Sequence, residues 1–216
     1  MASFMAAGSA YAVHGLPMIP FYIFYSMFGM QRVGDMVWSC GDMMCRGFLL
    51  GGTAGRTTLN GEGLQHQDGH SHLLASTVPS MLSYDPAFAY ELAVIVREGL
   101  HRMYHQQENI FYYLTLYNEN YSMPDWKSVL DANQITEESL VEGILQGGYC
   151  FSPATASKAN VHLLGSGSVM QQVIAAKSWL EEQGFHVAIW SITSFVELQR
   201  QALSAAQAAR ENPLDE

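Results

Sequence analysis

The 216-residue sequence predicts an α/β protein, with helices flanking a mostly parallel sheet and one further βαβ unit behind it. Three observations carry this expectation. Short apolar runs rich in aromatic and β-branched residues alternate with stretches of helical period as far as residue 117. They recur in the order strand, helix, strand, helix, strand, which suits parallel pairing with helical crossovers. A strand, a glycine turn, a helix and a strand follow again after residue 160.

Taken in order, the small and apolar residues 3–14 form a helix. Residues 17–24, from Pro17 through Phe21, Tyr22, Ile23 and Phe24, read as a buried strand. From Ser26 the period changes: Phe28, Val33, Met36, Val37, Cys40 and Met44 approximate one helical face, closing at Arg46 and Gly47. Phe48, Leu49 and Leu50 make a second buried strand. A long glycine-rich loop follows, from Gly51 to Gly63, and loops of this length in compact domains are usually functional or disordered. Residues 71–76 suit a short helix and 80–84 a third strand, closed by Asp85 and Pro86. Pro86 fits the first turn of the next helix, whose apolar face is Phe88, Leu92, Ile95, Val96, Leu100 and Met103. Residues 110–117 are an aromatic strand.

The first unit is therefore 1–122. Residues 123–158 lack long apolar runs, contain Pro124, Pro153 and the pair Glu137–Glu138, and read as an ordered connector with no layer of its own. The second unit, 159–216, has a strand at 161–164, a turn Gly165-Ser166-Gly167-Ser168, a helix at 169–183 stopped by Gly184, and a strand at 186–192. Its tail from Gln199 is a fraying Ala/Gln-rich helix. Two strands are too few to stand alone, so this unit reads as incomplete.

Composition excludes several classes. Ten basic against twenty acidic residues give a net charge of −10, which speaks against nucleic acid as a partner. No apolar run reaches the length of a membrane span, and the stretch 16–30 is broken by Pro17, Pro20 and Gly29. No basic stretch follows Met1, so no secretory signal is expected. Cys40, Cys45 and Cys150 make no even disulfide framework and fit a reducing, cytoplasmic setting. Charged residues are 14% of the chain, which suggests much buried surface, including a subunit interface.

Chemistry concentrates at His66, Asp68, His70 and His72, just after the glycine-rich loop. Three readings stand: a proton-transfer or ligand-binding loop, a solvated loop whose histidines cap backbone groups, and a metal site in which His66, His70 and His72 converge. The Gly165–Ser168 turn has the look of a phosphate cradle, but it lacks the third glycine and the ribose acid of a dinucleotide fingerprint, which favours a tight strand-to-helix turn. The aromatic stretch from Phe21 to Phe28 suits either core or the stacking of a planar cofactor. Cys40, Asp42 and Cys45 have no metal spacing.

Longer strings of residues go further. Met18 to Gly29, then Gln31-Arg32-Val33-Gly34-Asp35, Arg46 to His66, Asp68 to His72, Ser83-Tyr84-Asp85-Pro86-Ala87, and Tyr112-Tyr113 through Asn118-Glu119-Asn120-Tyr121 resemble homodimeric-type pyruvate dehydrogenase. That family is the thiamine-dependent decarboxylating component of the pyruvate dehydrogenase complex. The likeness covers residues 6–122 and, less closely, 160–198. It implies a thiamine diphosphate-binding fold: a pyrimidine-binding domain followed by the first βαβ unit of a transketolase C-terminal-like domain. It also implies thiamine diphosphate with magnesium as cofactors of the full-length protein, pyruvate as substrate, a homodimer, and a lipoyl domain of the dihydrolipoyl acetyltransferase core as partner. Carried over by position, Phe28 stacks on the aminopyrimidine and Tyr25 sits beside it. His66 is the active-centre histidine and Glu62 lines the same channel. An aromatic face gives a planar ring a partner, and an imidazole can orient or protonate a substrate.

The sequence departs from the family in three places. The family's glutamate that activates the aminopyrimidine precedes the segment matching Ser3. No Gly-Asp-Gly motif for the magnesium diphosphate occurs in the 216 residues. Met43-Met44-Cys45 replaces a more polar stretch. The chain is thus expected to be an internal or truncated piece that binds no cofactor alone. The rival expectations are a non-catalytic remnant keeping an interaction surface and a metal hydrolase built on the histidines.

Overall fold

The computed structural model describes residues 1–55, 63–155 and 158–211. The chain opens with two short helices, α1 (Ala2–Gly8) and α2 (Ala10–His14), parted at Ser9, whose hydroxyl donates back to the Met5 carbonyl at 2.9 Å. Then come β1 (Phe21–Tyr25), α3 (Ser26–Asp42), β2 (Phe48–Gly52), α4 (Ser71–Ser76), β3 (Met81–Tyr84), α5 (Ala89–Leu100) and β4 (Phe111–Thr115). These strands form one sheet in the order β1-β2-β4-β3, parallel throughout. Every residue of β4 is buried, as a strand covered on both faces requires. Its side chains alternate between two cores. Tyr112 and Leu114 join Phe48, Ile95 and Met103, while Phe111 and Tyr113 join Leu49, Val37 and Cys40.

The second part comprises α6 (Trp126–Asn133), α7 (Glu137–Gln146), β5 (Tyr149–Ser152), β6 (Val161–Gly165), α8 (Met170–Glu182), β7 (Val187–Ser191) and α9 (Phe195–Glu211). Its sheet has the order β5-β7-β6, with β6 and β7 parallel and β5 antiparallel to β7. No helix among the described residues is long and apolar enough to cross a membrane.

Four expectations need correction. The stretch 123–158 is more than a connector: α6 and α7 bury Val129, Leu140 and Ile144 in the first core, and β5 is a third strand of the second sheet. β1 starts at Phe21, because Pro17 and Pro20 cannot donate to the ladder. α3 ends at Asp42, and Met44 turns left-handed at φ 54° before Cys45. α5 starts at Ala89 and not at Pro86, because the Glu91 carboxylate takes the N–H groups of Ala87 (2.6 Å) and Phe88 (3.1 Å) and sets the helix start there.

The two parts are joined by polar as well as apolar contacts. Glu91, fully buried, also accepts from Tyr149 Oη (2.8 Å) and Ser191 Oγ (2.6 Å). Asp85 N donates to Thr193 O (2.7 Å), and Ser194 Oγ donates to Ser83 O (2.6 Å). Phe88 packs with Met170 and Ile189. All four strands of the first sheet point their carboxyl ends at one edge, where ligands of open α/β sheets bind.

Candidate functional site

β1 passes into α3 without a loop. Tyr25 is the extended residue before the helix, so Tyr25 and Phe28 flank the junction at the carboxyl edge. This close passage needs Gly29, since a Cβ there would run into the Phe24 ring. A 3₁₀ turn at Leu64–His66 brings His66 to the same place. The three rings form one cluster. Tyr25 and Phe28 have centroids 5.5 Å apart, Tyr25 and His66 5.8 Å, and Phe28 meets His66 edge-on at 5.5 Å. One turn along α3, the Arg32 guanidinium carbon lies 4.4 Å from the Phe28 centroid and occupies one face of that ring. All three rings are half-buried, with surface left for a ligand. Glu62 lies outside the described residues.

The other histidines go elsewhere. Gln31 donates through its amide to His70 Nε2 at 2.7 Å, which leaves the proton of a neutral His70 on Nδ1. His72 Nε2 bonds Thr115 Oγ1 at 3.0 Å, and its ring lies 5.2 Å from that of Tyr113. Asp68 caps the α4 turn. Its carboxylate accepts from His70 N (3.2 Å), Ser71 N (3.1 Å) and Ser71 Oγ (2.5 Å), and Tyr113 donates to that hydroxyl at 2.9 Å. Burial pushes the Asp68 carboxyl up, but these donors outweigh it and hold it below the usual carboxylate range. Burial likewise lowers the His72 imidazole, against the opposing charges of Asp85 and Asp68. Among the described residues no three His, Cys, Asp or Glu side chains are placed to hold a metal ion.

The Gly165–Ser168 turn is a packed corner. Gly167 has φ 51°, and the Tyr117 hydroxyl fills the space a Cβ would need. A polar network that is not legible in the sequence lines the neighbouring cleft. Thr115 Oγ1 donates to Asp85 Oδ1 at 2.5 Å, and Tyr117 donates to the same oxygen. In the sequence Asp85 reads as a strand stop, and Asp85, Thr115 and Tyr117 fall within strings that carry the resemblance without being singled out.

A parallel sheet followed by a second small α/β sheet is an architecture this chain shares with transketolases. The transketolase of Campylobacter jejuni superposes with a TM-score of 0.65 at 19% identity, over 91% of this chain and 27% of that one, which shows the fold. The family model described as pyruvate dehydrogenase E1 component middle domain matches residues 1–124, and the transketolase-like C-terminal domain model matches 147–215. The chain belongs to the pyruvate dehydrogenase E1 component middle-domain family. It is 50% identical over 215 residues to the pyruvate dehydrogenase E1 component of Pseudomonas aeruginosa, covering 99% of this chain and 23% of that protein. With the Escherichia coli K12 protein of the same name it shares 52% over 200 residues, 92% of this chain and 21% of the relative. The chain thus spans about a fifth of the curated relatives it matches.

Proposed function

We propose that these residues are the pyrimidine-facing part of a thiamine diphosphate-dependent enzyme that decarboxylates pyruvate and passes the acetyl unit to a lipoyl group. The observation that carries this reading is the convergence of Tyr25, Phe28 and His66 at one strand-to-helix junction, in a chain half identical to E1 components.

The residues fit the ring end of the cofactor. Phe28 offers an aromatic face for the aminopyrimidine and Tyr25 borders it. They do not fit its charged end: the 216 residues hold no Gly-Asp-Gly motif, and the net charge of −10 disfavours an anion. The diphosphate and magnesium belong to another domain. When bound, thiamine diphosphate supplies the electron sink for decarboxylation. This chain orients the ring and presents the His66 imidazole to the substrate, where it can hold or deliver a proton. The working protein is a cytoplasmic homodimer that meets the lipoyl domain of its acetyltransferase partner.

The test is His66→Ala in the full-length protein that carries this segment. The expected result is a fall in turnover on the order of a hundredfold with folding intact. Unchanged turnover in an assay coupled to the lipoyl acceptor overturns the role of His66.

A further inference from the structure

We infer that Cys40 and Cys45 are a redox modification site, a dithiol that closes a reversible disulfide at the end of α3. The backbone there makes a tight turn. Met43 N donates to Ser39 O (2.9 Å), Met44 N to Gly41 O (3.1 Å) and Cys45 N to Cys40 O (2.8 Å). Met44 takes the left-handed conformation at φ 54° that such a turn usually gives to glycine. This closure brings the side chains of its first and last residues together. Here those residues are Cys40 and Cys45, and their thiols hydrogen-bond each other. A disulfide needs adjacent residues whose side chains already point at one another, and this turn supplies them.

The surroundings tolerate the change. The Cys45 thiol donates to Met5 O at 3.6 Å, but that carbonyl also accepts from Ser9 N (3.0 Å) and Ser9 Oγ (2.9 Å). Loss of the thiol proton therefore leaves no buried acceptor unpaired. The hydrogen bond from Cys40 holds the Cys45 thiol below its ordinary value, while that bond and burial push Cys40 up. Cys45 is thus the attacking thiolate. The oxidant is a small-molecule disulfide. Cys45 attacks one of its sulfurs and expels the first thiolate. Cys40 gives its proton to that thiolate, attacks the Cys45 sulfur and expels the second. The protein loses two electrons and two protons, and the reagent gains them as two thiols. Both cysteines are buried, which slows the exchange and leaves its equilibrium to the native geometry. Neither belongs to the cluster of Tyr25, Phe28 and His66, so the inference stands apart from the function proposed above.

Equilibration of the 216-residue chain with oxidised and reduced glutathione tests it, approached from both directions, folded and in urea, with free thiols then blocked by iodoacetamide. Trypsin cuts after Arg32 and Arg46 and releases residues 33–46, which carry both cysteines, so the mass of that peptide reads the disulfide directly. At one glutathione ratio the folded chain is expected to show a disulfide-to-dithiol ratio about tenfold or more above that in urea, because the fold holds the two sulfurs together. Its oxidised form should unfold at a higher temperature than its reduced form. Cys150→Ser, on β5, should leave both results unchanged, and Cys40→Ser should abolish the disulfide. A folded-chain ratio equal to or below that in urea, a lower unfolding temperature after oxidation, or glutathione adducts on Cys40 and Cys45 in place of the internal bond would overturn the proposal.

Discussion

Thr115 decides the state of His72. Its single hydroxyl proton goes to Asp85 or to the Tyr84 carbonyl, so Thr115 can only accept from the imidazole, which fixes the Nε2–H tautomer. Because burial lowers His72 from 6.5, its contribution to stability is present above that value and is lost as pH falls through the folded value. Glu91 and Glu197, both raised by burial, act with the opposite sign, their contributions being lost as pH rises above about 4.5. His72→Gln should therefore reduce the acid-side loss of stability below pH 6.5, by up to about 1.4 kcal/mol per pH unit, while leaving the effects of Glu91 and Glu197 in place. Urea unfolding from about pH 5 to pH 8 reads this directly, and an unchanged slope would show that His72 is not held neutral. In the sequence His72 was one histidine of three, because its partner Thr115 lies 43 residues away. Tyr25, Phe28 and His66 were legible as a set only through the long resemblance. The hold of Arg32 on one face of Phe28 was not, since it depends on side-chain direction along α3.

At the scale of elements, α5 is the hinge of the architecture. Glu91 gathers four donors from three segments: two N–H groups at its own helix start, Tyr149 on β5 and Ser191 on β7. Glu91→Ala leaves these donors buried without an acceptor and should destabilise the chain by about 2–4 kcal/mol, with Glu91→Gln less damaging because the two hydroxyls can reorient. A loss under about 0.5 kcal/mol in thermal or urea unfolding of Glu91→Ala would mean the donors find other partners. Strands β2, β3 and β4 were legible from their apolar runs. α6 and α7 were passed over although their caps stood in the sequence: Asp125 accepts from Lys127 N (3.2 Å), Thr136 from Ser139 N (3.3 Å), and Gly147 closes α7 at φ 107°. β5, four residues behind Gly147-Gly148, is too short for periodicity to register.

Over the whole molecule, β1 is an edge strand with Phe21 (52% exposed) and Ile23 (67%) uncovered, continuing a run in which Leu16, Met18 and Ile19 are also exposed. Such a strip is a template for association. The chain should form a dimer or larger species, and Ile23→Lys should shift it toward monomer. A monomer at high concentration by light scattering would contradict this. The packing of the second sheet on the first was not legible, because bonds such as Ser191 to Glu91 join residues 100 apart in sequence.

In the proposed function the ring cluster at the start of α3 faces the cofactor. Calorimetry of thiamine diphosphate with magnesium on the full-length protein, wild type against Phe28→Ala, tests it most directly. Stacking is worth about 0.5–1.5 kcal/mol, so affinity should fall several-fold to about tenfold, while the half-buried position keeps the loss of thermal stability small. Equal cofactor affinity together with a large loss of thermal stability would make Phe28 an ordinary core residue and contradict the account.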